Sequence, residues 1–284
     1  MVIIRKIRML LVMSVTEVGM ILRSTKLFIL GIYLIFVKRM VIDPLIACSD
    51  LMNSKISWAE IFCSLNNSSF VFMVMPLTFL VIISDFPKDD GMGVFYQLRC
   101  KRSSWIIGQL LFEFFISAMM IVFNLLVTII MIGSHGELNN NFSYATTHYI
   151  TVFPEKSRDY VVDLVPGRLY NQLKLGKAFW ISAVCVFFYF LILSTIQLFF
   201  YLINKKNIGI IVNILIIGTG CILLSFNIGL KWLLPMAHTI PAIHFEEYVS
   251  KEIFPLTGSI LYLVIMYLLL VIMCFLVRKK KQLF

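Results

Sequence analysis

Hydrophobic residues in this chain fall in long blocks, broken by shorter stretches that hold most of the charge. A hydrocarbon core about 30 Å thick needs about 20 helical residues to cross it. Six blocks meet or approach that length: 27–46, 68–83, 105–132, 178–203, 208–228 and 256–277. None alternates in polarity, so the dyad pattern of an outer-membrane barrel is excluded. The clean run of the first block stops at Val37, and Lys38 and Arg39 would have to reach an interface along their own aliphatic stems. The second block is short, holds Pro76, and gains length from the 58–65 stretch before it. The pattern predicts an all-α membrane protein of six transmembrane helices, one domain over 1–284.

Three segments outside the blocks have a character of their own. In residues 1–25, Arg5, Lys6 and Arg8 precede a short apolar run that ends at Glu17, with no small-residue cleavage site after it. Met9, Val12, Met13, Met20 and Ile21 fall on or near one helical face, which predicts an amphipathic helix on the membrane surface with its basic residues toward anionic headgroups. Residues 133–177 are polar, too long for a hairpin turn and too short for a large domain. Residues 229–255 are too apolar for a free loop and too broken for a span, and predict a pair of short re-entrant helices, which protein must bury.

Composition agrees with the pattern. The chain is 60% hydrophobic and 14% charged, against roughly 25% charged in a soluble domain. That leaves too little polar side chain to clothe a water-facing surface, and excludes a soluble enzyme, a disulfide scaffold and a disordered chain. The net charge of +10 is placed at block ends, so it reads as topology rather than nucleic-acid binding. With both termini cytoplasmic, fifteen lysines and arginines lie inside and ten outside, in the longer segments. None of the six cysteines forms a C-x-x-C pair, which argues against a metal site; Cys48 and Cys63 are left able to share one membrane face.

Candidate chemistry is sparse. No P-loop, H-E-x-x-H or G-x-S-x-G occurs. Glu246, Glu247 and Lys251 approach the E-E-x-x-x-R pattern of intramembrane CAAX-type proteases, without the downstream histidines that chemistry needs. His238 and His244 are separated by Pro241, so no regular helical face joins them. In the third block Gln109, Glu113, Ser117, Asn124 and Thr128 recur at spacings of four, four, seven and four, one stripe of a helix. Glu113 lies ~12 Å along the helix from Trp105, where an ionisable group costs about 2.5–3.5 kcal/mol on insertion scales. The stripe is therefore a candidate lining for a translocation path, or a set of hydrogen bonds between helices. Gly209, Asn213, Gly218 and Gly220 in the fifth block point to close helix packing. In the loop 85–104, Pro87, Gly91 and Gly93 break the chain; Val94, Phe95 and Leu98 then make an apolar stripe, followed by Arg99, Lys101, Arg102 and an interfacial Trp105. This predicts a short surface helix able to dock a cytoplasmic partner.

The segment SDFPKDDGMGVFYQLRCKRSSWIIGQLLFEF resembles permease subunits of ABC-2-type exporters of Gram-positive bacteria, with Asp85, Pro87, Arg99, Arg102, Trp105 and Gly108 in the matching places. The six-span layout, the N-terminal surface helix and the broken segment before the last span are similar too; the long polar 133–177 region departs from the pattern. The resemblance implies a multi-pass protein of the bacterial cell membrane that carries no cofactor and is not itself an enzyme. ATP and magnesium would be bound by separate cytoplasmic ABC ATPase subunits. A second permease subunit, identical or related, would complete the path for an antimicrobial peptide, drug or lipid. Phe95, Leu98, Arg99, Lys101, Arg102 and Trp105 would couple to the ATPase. Two other readings remain: an ion-gradient-driven secondary transporter, for which Glu113 is the candidate carboxylate, and a non-transport membrane enzyme or peptide sensor.

Overall fold

The computed structural model describes residues 2–88, 101–246 and 251–277, with backbone only for 2–7 and 70. Among the described residues, nine long or medium helices build it: α1 Val2–Leu22, α2 Phe28–Val37, α3 Asp43–Met52, α4 Trp58–Asn67, α5 Ser69–Ile82, α6 Arg102–Ile132, α7 Leu175–Leu202, α8 Lys206–Ser225 and α9 Leu256–Val277. The chain is an all-α membrane protein. Helices α6 to α9 are each long and apolar enough to cross a bilayer. Two bent pairs bring the number of candidate spans to six if each counts as one: α1 with the α2–α3 helix, bent by 63°, and α4 with α5, bent by 88°.

The centre is α7. From Tyr189 to Leu198 every residue is buried, as expected of a helix apolar on all sides. Phe79 of α5 stacks on Phe190 at 4.4 Å, and Phe72 lies over Tyr189 at 5.9 Å. Gly209 of α8 faces Gln197 and Phe200 of α7 so closely that a Cβ there would stand 2.7 Å from Gln197 Oε1. Asn213 donates to the Leu193 carbonyl at 2.9 Å. Gly209 and Asn213 thus serve packing, as does Gly220 beneath Met236, whereas Gly218 faces open space.

The first and second blocks differ from their sequence reading. The first does not end near 46. A π turn at Lys38–Ile42 carries the helix on through α3 to Met52, with Arg39 paired to Asp43 at 3.2 Å. The second joins the 58–65 stretch only through a sharp bend: α4 turns by 88° against α5 and buries every residue from Ala59 to Asn67, so the pair is a broken span or a re-entrant turn. Asn53, Asn204 and Asn227 adopt left-handed backbone just past α3, α7 and α8, the usual way for a short amide residue to stop a helix.

One end of the bundle is a folded lobe. Strand β1 Ile56–Ser57 pairs in parallel with β2 Gly136–Glu137, and residues 133–177 add short helices at Tyr144–Thr147, Tyr149–Val152, Tyr160–Leu164 and Gly167–Tyr170. The 229–245 segment forms three 3-10 turns, not a pair of helices: Gly229–Leu233, Ala237–Thr239 and Pro241–His244. Pro235 and Pro241 lack the N–H that a longer helix requires. Residues 235–245 are all buried, as the apolar composition demanded. Cys48 and Cys63 are both free thiols.

Candidate functional site

At the opposite end from the lobe, three spans are tied together where α5 stops. Lys26, at the start of the α2 helix, reaches Asp85 at 2.6 Å and Ser84 at 2.5 Å. Lys206, opening α8, donates to the carbonyls of Asp85 and Pro87 at 2.5 and 2.8 Å. The hydrogen bond from Lys26, with the nearby charges of Lys206 and Lys88, holds the Asp85 carboxyl below the usual carboxylate range. Phe86 and Pro87 turn inward, Phe86 stacking on Phe112 of α6 at 4.7 Å. The entry to the 85–104 loop is therefore a fixed point.

Its exit is fixed as well. Lys101 is exposed and precedes α6. Trp105 is buried and stacks on Tyr201 of α7 at 5.7 Å, so it packs two helices together. One turn on, Gly108 lets α1 approach: a Cβ there would stand 1.8 Å from the Met13 terminal methyl. Ser14 donates to the Gly108 carbonyl at 2.8 Å, and Gln109 donates to Glu17 at 2.8 Å. The amphipathic helix read from the sequence exists, but it is packed along α6, with Met13 and Ile21 buried and Val12 left exposed. Val94, Phe95, Leu98 and Arg99 lie outside the described residues.

The polar stripe of α6 is buried throughout. It faces neighbouring helices of the same chain. Gln109 meets Glu17 of α1; Glu113 accepts from Thr195 of α7 at 2.7 Å; Asn124 accepts from Tyr33 of α2 at 2.5 Å and donates to Met120 O. Thr128 closes on its own helix at Leu125 O. Among the described residues, Glu113 Oε1, Gln109 Oε1 and Ser117 Oγ have no hydrogen-bond partner. Within one chain the stripe holds α1, α2 and α7 around α6. Glu113→Gln keeps an acceptor for Thr195, so thermal unfolding in detergent is expected to show a loss of no more than about 1 kcal/mol, one neutral hydrogen bond. A transporter driven by a proton at Glu113 would instead lose its ion-coupled transport in the same variant.

Glu60 was not singled out by sequence, and His238 and His244 were read there without Ser259. Glu60, buried in α4, accepts from the backbone N–H and hydroxyl of Ser143 at 3.1 and 3.2 Å and from the Thr146 hydroxyl, binding the lobe to the bundle. His238 and His244 converge on Ser259 in the first turn of α9, at 2.8 and 2.7 Å. A Ser–Thr pair three residues apart opening a short helix hints at the first; nothing in sequence spacing brings the second together. Glu246 is exposed and its N–H meets Lys251 O, while Glu247 lies outside the described residues. No family model, curated protein or solved structure matches this chain.

Proposed function

We propose that the chain is the membrane subunit of an ATP-driven exporter, with hydrolysis supplied by separate cytoplasmic ATPase subunits. One observation carries this reading: the basic loop 85–104 is gripped at both ends. Lys26 and Lys206 hold its start, and α1 and α7 hold the first turns of α6 that follow it. A push on such a loop passes directly into α2, α5, α6 and α8. The chain has no P-loop, which supports an energy source on a separate subunit. Because the α6 stripe is closed by helices of its own chain, the substrate path in this reading runs between two permease subunits. Both termini are then cytoplasmic, and the lobe and the 229–255 segment lie outside the cell.

The test is association. Tagged chain is purified from its native membrane, and bound ATPases are identified by mass spectrometry and assayed for hydrolysis in vesicles. Arg99→Glu with Arg102→Glu is expected to lower both association and hydrolysis at least tenfold, since two charge reversals each weaken a docking surface by about 1 kcal/mol or more. If both persist, the loop is not the coupling element.

A further inference from the structure

Where α9 begins, two imidazoles and one hydroxyl are short of a hydrogen. His238 Nε2 lies 2.8 Å from the Trp232 carbonyl, and His244 Nδ1 lies 3.0 Å from that of Ile240. A carbonyl only accepts, so each of these nitrogens carries the ring's N–H. In the neutral rings the other nitrogens, His238 Nδ1 and His244 Nε2, are then bare. Both face Ser259 Oγ, at 2.8 and 2.7 Å. Ser259 owns one hydrogen and can satisfy one of them. The remaining contact sets lone pair against lone pair, and all three side chains are at most 1% exposed, out of reach of bulk water. One added proton turns that contact into a charge-assisted hydrogen bond and completes the chain from one backbone carbonyl to the other.

We propose that His238, Ser259 and His244 form a binding site for a single proton, shared by the two rings through the Ser259 hydroxyl, and that the bound proton clamps the 229–245 turns onto α9.

The surroundings fix how many protons enter and when. Lys231 on the first turn is buried, its ammonium donating to Asn227, and its charge disfavours each added proton at His244; Arg168 on the neighbouring short helix acts on Lys231 itself. Helix α7 brings apolar side chains, Phe179 among them, and its Lys177 is exposed. Helix α9 brings the Tyr262 ring, stacked on His238 at 4.2 Å. Glu246, Lys251 and Glu252 on the covering bridge are exposed. Burial pulls both histidines toward the neutral form, His244 to about 4. The donors aimed at the Trp232 and Ile240 carbonyls already act against burial at that position, and the Tyr262 ring stacked on His238 further favours a cation. Uptake therefore falls between the value burial sets and the ordinary imidazole value of about 6.5. The site is empty at neutral pH and filled in mild acid. Through Met236, packed on Gly220, the clamp also reaches α8.

The full chain in detergent carries four histidines, few enough for ring-nitrogen NMR with each signal assigned by a single His→Gln variant. Titrated from pH 8 to pH 4, His238 and His244 are expected to move together with one midpoint and to take up one proton between them. Ser259→Ala should lower that midpoint by a pH unit or more. Ser259→Thr keeps the hydroxyl and should keep the shared midpoint, which leaves a decisive arm if the alanine variant does not fold. Two rings that stay neutral to pH 4, that titrate independently, or that titrate alike with and without the hydroxyl overturn the proposal.

Discussion

Glu60→Ala is expected to release the lobe from the bundle. The carboxylate is buried and gathers the Ser143 N–H, the Ser143 hydroxyl and the Thr146 hydroxyl from the lobe, with the Ser57 N–H beside them. Each donor left without an acceptor in a buried place costs about 1–3 kcal/mol. Ser143 and Thr146 can partly satisfy each other, since their hydroxyls are 3.2 Å apart, so the loss should come to about 3 kcal/mol, within the usual range for breaking a buried polar network. The readout lies one layer beneath. Cys48 is buried with its thiol 3.5 Å from the Ala145 carbonyl, under the short helix that Glu60 anchors. A water-soluble maleimide should label Cys48 at least tenfold faster in Glu60→Ala, with Glu60→Gln between the two. An unchanged rate would mean the lobe is held by β1–β2 and the Asn67–Leu164 bond instead.

Gly108→Leu should push α1 off α6. The nearest atoms to a new Cβ are the Met13 methyl at 1.8 Å, the Met13 sulfur at 3.3 Å and a Leu10 methyl at 3.6 Å. Alanine is tolerable, because the end of Met13 can swing aside. Leucine adds three carbons where Met13 and Leu10 already sit, and such overpacking costs about 1–3 kcal/mol. Moving α1 also breaks the Ser14 bond to Gly108 O and the Gln109 bond to Glu17. Spin labels on exposed Val12 and Val122 should report a broadened, longer distance in Gly108→Leu and an unchanged one in Gly108→Ala. On the exporter reading, ATP-driven transport falls at least tenfold in the leucine variant alone. If the distance stays sharp, α1 is not seated at Gly108.

How far the sequence reached can be followed along α6. Its length, its polar stripe and its opening Trp-x-x-Gly were all visible in a 3.6-residue period. The period tells which residues share a face and nothing about what stands opposite. Gln109 and Asn124 therefore read equally well as a pore lining or as interhelical bonds, and Glu113, being ionisable, reads more as a lining; in the fold Glu17, Thr195 and Tyr33 stand against them. Trp105 read as an interfacial aromatic by its place at a block end, and in the fold it stacks on Tyr201. The α4–α5 bend was hidden for a similar reason. The polar residues Glu60, Asn66 and Asn67 of α4 say nothing of where that helix turns, and hydropathy carries no direction.

Hydropathy and charge placement by themselves determined that this is an all-α membrane protein, because a bilayer admits only long apolar helices or closed barrels and the blocks lack barrel alternation. They also gave the basic loop ends and the broken apolar stretch before α9. Only the tertiary structure decided what Glu60 anchors, which helix α1 covers, and that His238, His244 and Ser259 meet. These are contacts between segments 15 to 92 residues apart, brought together by the packing of buried faces, and local periodicity does not encode them.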